Sequence, residues 1–322
     1  MGVTWETMNK LEIHSTEQRH KELEAETARL ADLISIHTPK DGSYGAEHIS
    51  GLYFNRFSQM EKVDYTHTMY WPTVGIAAQG TKAIQVGDEH FEYGGSTIFV
   101  APVALPVMMK TIVASPTDPF LGVGVYLDPQ RIAELVPKVY PQGLPKVTER
   151  SLGYMIPGDL GFIHAVARLV ECLAHPNDSE LLAPLIMDEI FIRLLRSPIG
   201  VFVAETVFVE SNVQRVAKAI RWLQEHFAQP LKIPELADMV HLSQSSFREH
   251  FKAITSMSPL QYQKALRLQE ARRLMLSGRM DAITACQMVG YISDSQFSRD
   301  YSRFFGSPPS RDMNRWRQQM NS

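Results

Sequence analysis

Two stretches in the last third of the chain repeat each other, and this repetition constrains the fold more than any other feature. The first runs Leu236-Ala237-Asp238-Met239-Val240-His241-Leu242-Ser243 and continues through Ser246-Phe247-Arg248-Glu249-His250-Phe251. The second runs Ala285-Cys286-Gln287-Met288-Val289-Gly290-Tyr291, then Gln296-Phe297-Ser298-Arg299-Asp300-Tyr301. Val240 and Val289 are 49 positions apart, whereas Phe247 and Phe297, Phe251 and Tyr301, and Pro259 and Pro309 are all 50 apart. The second copy therefore carries one extra residue in its turn. A repeat at one offset, interrupted only at a turn, is a single supersecondary unit used twice. Here the unit reads as helix, tight turn, helix. Two such units in one chain predict two adjacent contacts with the same DNA duplex.

Charge is distributed to suit such a contact. The 322 residues carry a net charge of −3, but residues 211–322 hold 16 Lys and Arg against 9 Asp and Glu, while 1–210 hold 16 against 26. A basic end on an acidic body fits one domain that meets phosphate and one that does not; a solvated charged face gives the same asymmetry. The chain is long enough for two cores. Two cysteines, Cys172 and Cys286, exclude a disulfide framework or a cysteine-rich zinc cluster. No apolar run reaches the ~18 residues of a membrane span, and Met1 to Lys21 is polar rather than signal-like. The expectation is a soluble, cytoplasmic protein with no membrane partner.

Residues 15–37 have the spacing of an amphipathic helix, with Leu23, Leu30, Leu33 and Ile34 among charged residues, ended by Pro39, Asp41, Gly42 and Gly45. From Ile49 to about Leu127 short apolar runs (Gly75–Ala78, Lys82–Val86, Thr97–Val100) alternate with Gly87-Asp88 and Gly94-Gly95 turns, as in a small barrel or sandwich. Leu160–Val170 and Leu181–Leu195 read as two helices. The expected division is 1–200, a connector at 201–210, and a helical domain at 211–322.

Within the helical domain each part has a physical task. Ser211-Asn212 caps a helix whose apolar stripe is Val216, Ala219, Ile220 and Leu223. Pro234 stands early in the next helix, where its missing N–H costs little. Ala237 is small, as two closely crossing helices require. Ser243 caps a first recognition helix over roughly Gln244–Ile254, Leu260–Leu276 forms a long connecting helix, and Ser293 caps a second recognition helix over roughly Asp294–Phe304, stopped at Gly306.

At these residues the chain resembles the AraC/XylS family of bacterial transcription regulators. The resemblance is carried by Ala237-x-x-Val240-x-Leu242-Ser243, Met257-Ser258-Pro259-Leu260-Gln261-Tyr262, Leu266 to Leu274, Val289-Gly290-Tyr291-x-Ser293-x-Ser295-Gln296-Phe297-Ser298-Arg299, and Phe305-Gly306-x-Pro308-Pro309. It implies two recognition helices in successive major-groove segments, which repeat every ~34 Å along one DNA face. The positions matching the family's DNA-facing ones are Gln244, Ser245, Arg248 and Glu249 on the first helix, and Asp294, Ser295, Ser298 and Arg299 on the second. Arg248 and Arg299 are candidates for guanine reading or phosphate contact; Lys252 and Arg303, one turn later, are candidate phosphate anchors. Phe247, Phe251, Phe297 and Tyr301 form the inward face. One residue departs from the pattern: Glu249 stands opposite Arg299 in the repeat, where the family usually has Arg. A carboxylate there is repelled by phosphate, or accepts a hydrogen bond from a cytosine amino group.

The N-terminal part, through Ile49-Ser50-Gly51-Leu52, Tyr70-Trp71-Pro72, Gln79-Gly80-x-Lys82, Val86-Gly87-Asp88 and Tyr93-x-Gly95, resembles the cupin-like sensor domain of one AraC subgroup over roughly 35–200. The expected fold is therefore α+β: an N-terminal cupin-like β-barrel with flanking helices, joined to a C-terminal all-α domain with two helix-turn-helix units. The implied partners are double-stranded DNA, a small-molecule effector in the barrel, RNA polymerase, and a second copy of the chain, with Leu160–Leu195 as the candidate dimer interface. No cofactor and no catalytic residue is expected. The rival reading is a cupin-like metalloenzyme with a vestigial DNA-binding tail. Its metal would need His-x-His with a nearby carboxylate, and the chain offers only His67, His90 and Glu92 without that motif. Cys172 reads as core in an apolar helix, with oxidant sensing as the alternative.

Overall fold

The strands of the N-terminal half fall into two kinds, and the difference shows which of them have both faces covered. Residues 5–60, 66–145, 154–208, 211–278 and 280–320 are described by a computed structural model. The elements in order are α1 (Trp5–His37), β1 (Gly42–Gly45), β2 (Leu52–Phe57), β3 (Thr66–Tyr70), β4 (Thr73–Gln79), β5 (Thr81–Val86), β6 (Glu89–Gly94), β7 (Ile98–Ala101), β8 (Leu105–Val113), β9 (Phe120–Tyr126), α2 (Pro129–Val139), β10 (Met155–Ile156), α3 (Leu160–Glu171), α4 (Pro176–Leu181), α5 (Ala183–Leu195) and α6 (Gly200–Glu205). The helical region continues with α7 (Asn212–Glu225), α8 (Ile233–Met239), α9 (Gln244–Thr255), α10 (Pro259–Leu276), α11 (Ala282–Met288), α12 (Asp294–Phe305) and α13 (Pro309–Met320). Two antiparallel sheets form, a larger one ordered β1-β2-β9-β4-β7-β10 and a smaller one ordered β3-β8-β5-β6.

In the larger sheet β7 is buried throughout, and β4 and β9 nearly so. One of its faces carries α1, α3 and α5, through a core that includes Leu30, Ile34, Phe162, Val166, Ile190 and Leu194. The other faces the smaller sheet, where the Tyr93 and Tyr70 rings meet Phe99 edge-on at 5.9 and 5.2 Å. Strands covered on both sides read as unbroken apolar runs. By contrast β5 alternates, with Lys82, Ile84 and Val86 inward and Thr81, Ala83 and Gln85 half-buried. The expected barrel is thus built as two facing sheets with helices on the far side of one.

Local chemistry sets the helix starts. Asp128 caps α2 by accepting from the Gln130 and Arg131 amides ahead of Pro129. Ser211 caps α7 by accepting from Gln214 N at 2.9 Å, and Ser258 with Gln261 forms a reciprocal capping box on α10. Three boundaries differ from the sequence reading. α1 begins at Trp5 rather than near 15. The helix expected over Leu181–Leu195 is two helices, because Pro184 in the first turn of α5 has no N–H with which to continue α4. The first half of the expected connector is helical, since Val203 and Ala204 supply an apolar face that is buried in the N-terminal core; residues 209–210 lie outside the described set.

The buried interior does not divide at the connector. One continuous cluster joins Ile84, Val86, Tyr93 and Val107 of the sheets to Val216, Leu236, Phe247, Phe251, Ile254 and Tyr262 of the helical region. A separate cluster of Leu268, Ala271, Cys286, Val289, Phe297 and Tyr301 serves only the last helices.

Candidate nucleic-acid interface

Each of the two turns needs one residue in the left-handed region, and the repeat supplies it differently. In the first, His241 takes φ +55° between α8 and α9. In the second, Gly290 takes φ +81°, and a Cβ at that position would lie 1.9 Å from the Ala228 carbonyl oxygen. The histidine therefore bears an αL cost that glycine avoids. After each turn a serine caps the recognition helix: Ser243 accepts from Ser246 N at 3.2 Å, and Ser293 from Gln296 N at 3.3 Å. The first recognition helix is α9 and the second is α12, each one residue longer at its C-terminal end than the sequence suggested.

The inner faces of the two helices are aromatic. Phe247 and Phe251 meet at 5.5 Å, and Phe251 meets Tyr262 edge-on at 5.5 Å. In the second unit Phe297 packs on Tyr291 at 5.3 Å and on Tyr301 at 5.5 Å, and Tyr301 packs on Phe305 at 4.4 Å. Burying rings of this size stabilises the helix positions by roughly 1.5–3 kcal/mol each.

The outer faces are polar. On α9, Gln244, Ser245, Arg248, Glu249 and Lys252 are all exposed; a spacing of four residues places them along one side of the helix. On α12, Asp294, Ser295, Arg299 and Arg303 are exposed and Ser298 is half-buried. Among the described residues, the side chains of Arg248, Glu249, Lys252, Arg299 and Arg303 make no hydrogen bond or ion pair within the chain. Their charged ends are thus available to a ligand, and four of the five are cationic.

Other basic residues of the region are held within the protein, which sequence reasoning does not reveal. Arg267 of α10 donates to the carbonyls of Phe227 (2.7 Å), Ala228 (3.2 Å), Gln229 (2.8 Å) and Gly290 (3.1 Å). It thereby ties the loop after α7 to the turn of the second unit, and partial burial pulls its pKa below the usual arginine value. Arg272 pairs with buried Asp312 at 2.9 Å, and the Tyr301 hydroxyl donates to the same carboxylate at 2.7 Å. Lys264 pairs with Asp300 and Arg273 with Glu270. Part of the positive charge counted in the sequence is therefore structural.

The first unit is also bonded to the sheets. The Tyr262 hydroxyl donates to Ala104 O at 2.8 Å, and the Tyr154 hydroxyl donates to Ile254 O at 2.9 Å. Gly87, in the β5–β6 turn, abuts the Ser256 carbonyl so closely that a Cβ would lie 2.4 Å from it. The second unit touches the sheets through the His67 ring, 4.2 Å from Phe304 and 4.7 Å from Phe305.

The residues that a metal would need do not converge. His67 lies on β3 opposite Met108, Met108 opposite Gln85, and Gln85 opposite His90 on β6. The two histidines are thus three strand spacings apart, roughly 14 Å, and His90 and Glu92 are exposed on β6. No group of three or more His, Cys, Asp or Glu able to hold a metal ion occurs among the described residues. Burial pushes both thiols up, Cys172 modestly and Cys286 to about 11, so each is held as the unreactive neutral form.

Comparison with known proteins gives matches to both halves. Residues 48–202 match the model for the AraC-type transcriptional regulator N-terminus, and residues 236–315 match a helix-turn-helix domain. The HTH-type transcriptional regulator GbdR of Pseudomonas aeruginosa is 28% identical over 99 residues, which cover 31% of this chain and 27% of GbdR. ExsA of the same species, also an HTH-type transcriptional regulator, is 25% identical over 162 residues, covering 48% of this chain and 58% of ExsA. The matched segments thus span from about a quarter to somewhat over half of these relatives' lengths. A solved structure of ToxT from Vibrio cholerae shares the fold, with a TM-score of 0.54 at 11% identity over 82% of this chain and 98% of ToxT.

Proposed function

This chain belongs to the AraC/XylS family of transcription regulators, and from that premise we propose that it is a sequence-specific DNA-binding regulator controlled by a small molecule held between its N-terminal sheets. One observation carries the DNA reading: two serine-capped helices, backed by aromatic cores, present exposed polar side chains and unpaired cationic ones along their outer faces. The residues assigned to contact DNA are Gln244, Ser245, Arg248, Glu249, Lys252, Asp294, Ser295, Ser298, Arg299 and Arg303. Side chains leading each helix are placed to meet base edges, and Lys252 and Arg303 to meet phosphate.

An effector is supported by a cavity between the sheets and by analogy: one ToxT structure is described as bound to (E)-4-(8-methylnaphthalen-1-yl)but-3-enoic acid. Ligand would shift the population of domain arrangements and so alter operator affinity or contact with RNA polymerase. We assign residues 1–200 to sensing and self-association and 211–322 to DNA. Most of the apolar side chains in 160–195 are core, but Leu181, Leu182 and Leu185 are exposed together around the α4–α5 junction and are our candidates for the homodimer contact. No helix among the described residues is long and apolar enough to cross a membrane, and we place the protein in the cytoplasm, where its DNA target lies. The rival enzyme reading has no support: the relatives named above are transcription regulators, and His67 lies far from His90 and Glu92.

Sequencing genomic fragments retained by the purified full-length protein tests the proposal. The expected product is a motif with two conserved segments about one helical turn apart, bound with a steep salt dependence. Retention with no sequence enrichment would contradict it.

A further inference from the structure

The two helix-turn-helix units differ in length at one place, and hydrogen bonds locate it. In the first turn the His241 and Leu242 amides donate to Asp238 O and Ala237 O, both at 3.0 Å. In the second the Gly290 and Tyr291 amides donate to Gln287 O and Cys286 O, again both at 3.0 Å. Each of these residues lies 49 positions from its counterpart, so Tyr291 stands where Leu242 stands. Leu242 is followed at once by the cap Ser243, whereas Ile292 separates Tyr291 from the cap Ser293. An apolar residue ahead of a cap commonly packs back onto the first turn of its helix. Leu242 does so against the cluster that holds Phe247, and Tyr291 does so on Phe297 at 5.3 Å. That packing is complete without Ile292. Its side chain is 104% exposed, the most exposed large apolar one among the described residues.

We propose that Ile292 is a specificity residue of the second unit and reads the C5 methyl group of a thymine in the major groove. The inference rests on the DNA-binding reading given above and adds a residue and a base chemistry that the polar outer faces do not supply. Exposed apolar side chains are common singly; the place of this one sets it apart. It leads directly into the exposed Ser293, Asp294 and Ser295 at the start of α12, the end of a recognition helix that approaches base edges. Of the groups that bases present in the major groove, the thymine methyl is the apolar one. Isoleucine has no donor or acceptor for the others, and burying its side chain against that methyl removes apolar surface from water on both sides. A protein partner is the competing occupant, since Ile283 and Met288 of α11 are exposed as well. The observations favour DNA, because Ile292 is bordered by Ser293 and the charged Asp294, and the centre of a protein interface is depleted of charge. The first unit has no counterpart of Ile292, so the two units differ in what they ask of their DNA segments.

The test uses the full-length protein and synthetic duplexes carrying the motif it selects from genomic DNA. In the segment whose binding Arg299→Ala weakens, each thymine is replaced in turn by uracil, which lacks only the methyl group. The expected result is one position at which uracil weakens binding roughly fourfold, the worth of one buried methyl. Ile292→Ser and Ile292→Asn, each verified as folded by circular dichroism, should bind the thymine and uracil duplexes equally. Since isoleucine carries no charge, both variants should keep the wild-type salt slope. With cytosine at the same position, 5-methylation should tighten binding by the wild type and not by the variants. Uracil tolerated at every thymine of the segment, or a sensitivity that both variants retain, would overturn the proposal. So would variants that respond to uracil as the wild type does but lower transcription in vitro, which would assign Ile292 to a protein contact. The selection step keeps the two readings apart: no enriched motif rejects the regulator and this role with it, whereas an enriched motif without a methyl-sensitive thymine rejects the role of Ile292 alone.

Discussion

In the first helix-turn-helix unit the aromatic face of α9 rests on Tyr262, and that packing runs without a break into the sheets; in the second, the aromatic face of α12, Phe297, Tyr301 and Phe305, closes against Tyr291 in a core of its own. The outer faces nevertheless stay alike, exposed and polar at matching positions. The duplicated motif thus fixes the shape offered to DNA, while residues outside it decide what each copy is attached to. One unit is continuous with the sheets of the N-terminal half. The other is tied to the loop after α7 through Arg267, and reaches the sheets through the His67 contact with Phe304 and Phe305.

The sharpest break in this comparison comes from exchanging the two turn residues. Gly290→Ala places a methyl against the Ala228 carbonyl and forces alanine into the αL region, so equilibrium urea unfolding should show a loss of about 3 kcal/mol or more. His241→Gly at the equivalent position should be neutral or stabilising by up to about 1 kcal/mol. Similar responses from both would mean that the two turns are not the same structure.

Next in size is Arg267→Met, which leaves four carbonyls without their cationic donor. Because the site is half-buried, water can replace some of these bonds, and the expected loss is roughly 2 kcal/mol. A fall in α11–α12 amide protection, measured by hydrogen exchange, should accompany it. A change confined to α7 would show that Arg267 does not join the units.

Removing one phenol hydroxyl from each unit gives a smaller, graded contrast. Tyr262→Phe leaves the buried Ala104 carbonyl unsatisfied and should cost about 1–2 kcal/mol. Tyr301→Phe should cost less, about 0.5–1 kcal/mol, since Arg272 still holds Asp312. Thermal melts of the two variants check the order, and a reversed order would contradict the continuity of the first unit with the sheets.

The smallest effect lies on the outer face. Glu249→Arg converts the first helix to the pattern of the second, and binding to operator and scrambled DNA alike should tighten, with the salt slope steeper by about one contact. Operator binding weakened by ~1–3 kcal/mol would instead show that Glu249 reads a base.

The repeat, the caps at Ser211, Ser243 and Ser293, and the aromatic inner faces were legible because each depends on residues a few positions apart. The docking of the first unit was not. Tyr262 reads as an ordinary inward helical residue, and nothing local tells that its hydroxyl meets Ala104, 158 positions away. The same holds for Arg267 and Arg272, which look like surface cations until their acceptors come together. Lys82 was visible as part of a motif and as an inward position alternating with Ile84 and Val86, but the rings it meets, Phe57 and Phe120, come from distant strands.

Hydroxyl-radical footprinting of the full-length protein on its selected operator tests most directly whether two differently anchored units read one duplex. The account predicts two protected patches on one face of the DNA, about 10 base pairs apart, with Arg248→Ala weakening one patch and Arg299→Ala the other. A single patch, or two patches that respond equally to either substitution, would contradict it.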